Sequence, residues 1–91
     1  MAGQWKFIHL ILYDQSDLDG LTTVSYFSPH QTVVNIKLEQ FLRRFYPHLA
    51  VTASTEVFIQ HLLSGGWEPY SDSVMPFEHI RIISYSFRKE V

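Results

Sequence analysis

The sequence predicts an α+β fold: a mainly antiparallel sheet of about four strands with two helices packed on one face. Three observations carry this reading. Stretches rich in aromatic and aliphatic residues stand near both ends of the chain, at Trp5 to Tyr13 and Glu78 to Phe87. Between them, apolar residues recur at helical spacing in two stretches. The chain has 91 residues, of which 46% are hydrophobic and 18% charged, so residues 1–91 suit a single domain and are too apolar for a disordered tail.

Trp5 to Tyr13 is the first expected strand, closed by Asp14, and both of its faces are apolar. Asp14 to Gly20 reads as a polar, acidic loop. Its Asp14, Asp17 and Asp19 lack the spacing of a calcium loop. Leu21 to Phe27 is the second expected strand. Ser28-Pro29-His30-Gln31 then reads as a helix start, with Ser28 as N-cap, Pro29 as first helical residue and Gln31 as the capping-box partner. Val34, Leu38, Phe41, Leu42 and Phe45 follow at helical spacing, and Pro47 marks the stop. A competing reading makes Thr32 to Lys37 a strand, because it holds Val33, Val34 and Ile36; the capping signal favours helix.

A second helix is expected after Thr52 or Ser54, with Val57, Phe58, Leu62 and Leu63 as its apolar residues and Gly65-Gly66 as its end. Trp67 to Val74 reads as an irregular strand weakened by Pro69, Met75-Pro76-Phe77 as a bend, and Glu78 to Phe87 as the last strand.

Two helices cover one face of such a sheet, yet the strands carry apolar residues on both. Ile8, Leu10 and Leu12 of the first strand, with Ile80 and Ile82 of the last, are assigned to the helices. Trp5, Phe7, His9, Ile11 and Tyr13, with Arg81, Ile83, Tyr85 and Phe87, are assigned to the open side. Aromatic rings bury about 150–250 Å² each, so even at half that area the side would stand at or above the roughly 300–600 Å² of the largest patch on an ordinary monomer. The expectation is a non-catalytic interaction module whose partner is a second copy, giving a homodimer, or another protein.

Leu62-Leu63-Ser64-Gly65-Gly66-Trp67-Glu68-Pro69-Tyr70-Ser71 resembles a motif of small bacterial domains of unknown function, in which a helix ends in glycine followed by Trp-Glu. Trp5-Lys6-Phe7 is similar to their first strand, Glu56 to Leu63 to their helix, and Ile80 to Arg88 to their last strand. Leu21 to Val51 stands as an insertion. The resemblance implies a compact βαββ core and no established activity. Independently of it, Gly66 suits a chain reversal and Trp67 suits a ring folded over the helix–sheet seam.

The absence of cysteine excludes disulfides, thiolate metal sites and a cysteine nucleophile, and it favours the cytoplasm. A net charge of -2 with scattered basic residues argues against a nucleic-acid partner. No apolar run suits a membrane span, neither helix has a markedly basic face, and Met1 to Lys6 lacks a signal-peptide pattern, so no membrane partner is expected. The five histidines His9, His30, His48, His61 and His79 form no metal-binding motif, and no phosphate loop or nucleophile elbow occurs. No metal, cofactor or catalytic residue is therefore expected. The alternative is a small-ligand binder or enzyme with a pocket on the same sheet face, using His9, Glu78 and His79 as its polar groups.

Overall fold

A computed structural model describes residues 4–13, 21–51 and 54–91. Strands β1 (Trp5–Tyr13), β2 (Thr23–Phe27) and β3 (Thr32–Lys37) precede helix α1 (Leu38–Phe45). A 3-10 turn (Pro47–Leu49), helix α2 (Thr55–Ser64) and strands β4 (Glu68–Phe77) and β5 (Ile80–Glu90) follow. The five strands form one antiparallel sheet in the order β3-β2-β1-β5-β4, so β1 is its central strand. The fold is α+β, as expected, with one strand more than the sequence suggests.

The extra strand is β3, where helix is the preferred sequence reading. Ser28 does accept a bond from the Gln31 backbone N–H, at 3.0 Å, and one from His30 at 3.3 Å. Its own N–H and hydroxyl reach back to the Gln31 carbonyl, closing a turn rather than opening a helix. Ser and Thr hydroxyls bond nearby backbone in turns as readily as at N-caps. The β-branched residues Thr32, Val33, Val34 and Ile36 then favour pairing with β2. The ladder breaks opposite Ser25, where Asn35 takes φ 50°. Asn tolerates this left-handed conformation. Ser25 Oγ holds it by accepting the Asn35 N–H at 3.0 Å and donating to Asn35 Oδ1 at 3.2 Å.

Helix α1 consequently begins at Leu38, whose N–H donates to the Thr22 carbonyl at 3.0 Å because Lys37 offers no side-chain cap. A helix of eight residues is marginal alone. It persists because Leu38, Phe41 and Leu42 are buried, with Phe41 and Phe58 ring centroids 5.7 Å apart. Helix α2 starts where Ser54 Oγ accepts the Val57 N–H. At its other end Gly65 bonds back into the last turn, Gly66 takes φ 87°, and Lys89 Nζ donates to the Gly65 carbonyl at 2.6 Å. The lysine satisfies an orphan carbonyl and complements the helix dipole. Trp67 then turns into the core, with Lys6 Nζ 5.4 Å from its ring.

The core unites Ile8, Leu10, Val24 and Phe87 of the sheet with Phe41, Leu42, Phe58, Leu62 and Trp67. Helices therefore cover the face of β1 that carries Ile8 and Leu10, as the sequence implies. Strand β4 differs from expectation: Met75-Pro76-Phe77 continues the strand instead of bending, and the turn falls at Glu78-His79. Pro69 and Pro76 are tolerated because β4 is an edge strand, and a register shift between Pro69 and Ser71 bulges it at Tyr70. The expected acidic loop Asp14 to Gly20 lies outside the described residues.

Candidate functional site: the open face of the sheet

The face away from the helices follows from strand register, since directly opposed residues in an antiparallel pair point the same way. Phe7 opposes Phe27 and Arg88; His9 opposes Ser25 and Ser86; Ile11 opposes Thr23 and Ser84; Tyr13 opposes Ile82. The outward side chains of β1 thus form an apolar ridge of Trp5, Phe7, His9, Ile11 and Tyr13 across the sheet centre. Small hydroxylated residues border its middle. Phe27 and Tyr70 widen one end, and Ile82 with Met75 the other.

This corrects half of the expected surface. Arg81, Ile83, Tyr85 and Phe87 do share one face of β5, but it is the helix-side face. Phe87 opposes Ile8, Tyr85 opposes Leu10 and Ile83 opposes Leu12. Phe87 is 2% exposed and belongs to the core, and Tyr85 packs against it. Ile80 and Ile82, expected on the helix side, are on the opposite face. The physical reason is register. A shift of one residue exchanges every side chain between faces, and a strand apolar on both sides carries no pattern that distinguishes the two choices. The serines at 84 and 86 held the missing signal: polar residues alternating with Ile83, Tyr85 and Phe87 mark the solvent side.

At one end of the ridge the Arg88 guanidinium lies 5.0 Å from the Trp5 ring and 5.4 Å from the Tyr70 ring. It also forks onto Glu68, with Nε 3.2 Å from Oε2 and Nη2 3.4 Å from Oε1. Phe7 meets Tyr70 edge-on at 6.0 Å. This arrangement gathers two rings, a cation and a carboxylate at that end of the face.

His9 sits at the middle of the ridge. Its Nδ1 lies 2.7 Å from Ser86 Oγ, and its ring meets Phe27 edge-on at 5.6 Å. Desolvation among these neighbours holds the imidazole below its ordinary pKa.

The residues of the alternative ligand site are not brought together. Glu78 and His79 form the β4–β5 turn, whereas His9 opposes Ser86, six residues up the strand from Ile80 and roughly 20 Å away at strand rise. Pro69, Tyr70, Ser71, Asp72 and Tyr85 line a separate, open depression of about 380 Å³ at the β4 bulge. On the helix side, His48 and His61 lie 5.4 Å apart beside Tyr46. Among the described residues, no three His, Asp or Glu side chains are grouped as a metal site, and no helix is long and apolar enough to cross a membrane.

No family model matches the chain, and neither a curated protein nor a solved structure matches it.

Proposed function

We propose that this protein is a small non-catalytic association module, and that a second copy of the chain packs on the open face of its sheet. The observation that carries the reading is the β1 ridge: Trp5 is 40% exposed, and Phe7, Ile11, Tyr13 and Phe27, on the central strand or next to it, stay partly in solvent. Five strands at about 4.8 Å spacing give a face of the order of 600 Å² in plan before side-chain relief. That is close to the roughly 800 Å² each partner contributes to a standard interface.

Charge favours a second copy as the occupant. Among the described residues the face carries Lys37, Arg88, Glu68 and Glu90, whose formal charges cancel. Two such faces meet without net repulsion, whereas a polyanion would find one free lysine and an arginine already engaged by Glu68.

Ile11→Glu tests the reading. Ile11 is flanked by Thr23 and Ser84, so a carboxylate there stays solvated in a monomer and is buried unpaired in a dimer. Sedimentation at micromolar concentration should show a wild-type dimer and a folded Ile11→Glu monomer with unchanged circular dichroism. A wild-type chain that sediments as a monomer up to about 100 μM overturns the proposal; that limit corresponds to a contact weaker than about -5.5 kcal/mol.

A further inference from the structure

We propose that protonation of His9 gates this association, so that the neutral imidazole permits face-to-face packing and the imidazolium opposes it. The inference rests on the open-face reading above and names its regulation.

Position is the first support. β1 is the third of the five strands, and His9 is the middle residue of its nine. A two-fold axis relating two such faces through their centres passes near His9, so the two imidazoles come together. A closed point group makes that meeting reciprocal: what one copy buries, the other buries too.

The surroundings are the second support. From β1, His9 is bracketed by Phe7 and Ile11; from β2, by Ser25 and Phe27; from β5, by Ser84, Ser86 and Arg88. β4 presents Tyr70, Ser71 and Glu68, and β3 presents Asn35 and Lys37 farther out. The charged groups among these are Arg88, Glu68 and Lys37. Glu68 is occupied by Arg88, and Glu90 stands opposite Trp5 at the far end of the ridge, so neither carboxylate is placed against His9. Ser25 Oγ, the nearest hydroxyl on β2, is committed to Asn35. Among the described residues no carboxylate on the face is placed against His9 to receive an imidazolium; the Ser86 bond serves either form of the ring, and the contact with the Phe27 ring is an apolar neighbour that a charge does not favour.

The sign follows. Partial desolvation already lowers the pKa of His9 in the single chain, and covering the face removes more water and lowers it further. A dimer therefore binds fewer protons than two monomers, and association weakens as pH falls through the histidine range. Each pKa unit lost on association is worth tenfold when the monomer is fully protonated, and the effect counts once per copy.

The experiment is sedimentation of wild-type protein and His9→Gln at pH 8 and pH 5, at constant ionic strength. Glutamine keeps a polar, hydrogen-bonding side chain without a titratable charge. The wild-type dissociation constant should rise by more than about tenfold between pH 8 and pH 5, while that of His9→Gln changes by less than about threefold. Equal wild-type association at both pH values overturns the gate and leaves the face intact. So does a His9→Gln protein that loses association in step with wild type, or one that fails to associate at pH 8. A wild-type monomer at pH 8 overturns the face itself and the gate with it.

Discussion

At the scale of single residues, a few positions sit in conformations that their side chains do not favour, and each has a local reason or lacks one. Asn35 at φ 50° is held by two bonds to Ser25. Glu78 at φ 57°, in the two-residue turn between β4 and β5, has an exposed side chain. An L-residue in the left-handed region costs about 1–2 kcal/mol, which glycine avoids. Glu78→Gly should therefore stabilise the protein by about 0.5–1 kcal/mol in urea denaturation, the gain being trimmed by glycine's greater unfolded-state freedom. Ion pairs at this scale contribute less: Glu39 and Arg43 are joined one turn apart on α1, but both are largely exposed.

At the scale of elements, the β2–β3 hairpin shows how a local signal and a tertiary one divide the work. Ser28 closes the turn, while Ser25 holds the bulge that returns β3 to register before α1 begins. Ser25 is 7% exposed, so its hydroxyl is a largely dry partner for the Asn35 backbone. Ser25→Ala should cost about 1 kcal/mol in the same denaturation experiment and speed amide exchange at Asn35. Helix α2 is better specified by its own sequence, since Ser54 starts it and Gly65-Gly66 ends it, as expected from the residue types alone. Helix α1 is not: its N-cap is Lys37, and its first N–H depends on the distant Thr22 carbonyl.

At the scale of the whole molecule, the sheet separates two aromatic populations. One is interior: Tyr26, Phe41, Phe45, Tyr46 and Phe58 form a continuous cluster under the helices, and burial together with the neighbouring Tyr26 phenol raises the pKa of Tyr46. The other is the ridge on β1, partly buried apart from the exposed Trp5 and covered by no helix, on which the association proposal rests. The two faces should answer differently to the same substitution. Tyr85→Glu, on the helix side, puts a carboxylate against the core and should destabilise the fold by about 3 kcal/mol, read as a lower denaturation midpoint. Ile11→Glu, on the open side, should leave that midpoint nearly unchanged and alter the sedimenting mass. If Tyr85→Glu proved harmless to stability, the register placing Tyr85 opposite Leu10 would be wrong.

Fold class, β1, α2, the glycine helix end and the burial of Trp67 were legible from residue type, because each depends on chemistry within a few positions of the chain. The excess of apolar surface over what two helices hide was legible in the same way, and so were five of the nine residues first assigned to the open face, all of them on β1. The structure of residues 32–37 and the facing of β5 were not. A capping serine and a turn serine look alike in sequence until a partner strand competes for the backbone that follows. A strand apolar on both sides takes its orientation from the register of its neighbour, and register is a relation between residues as far apart as Ile8 and Phe87. Tertiary pairing alone therefore decided that Tyr85 and Phe87 turn inward, and that His9 faces outward at the centre of the sheet.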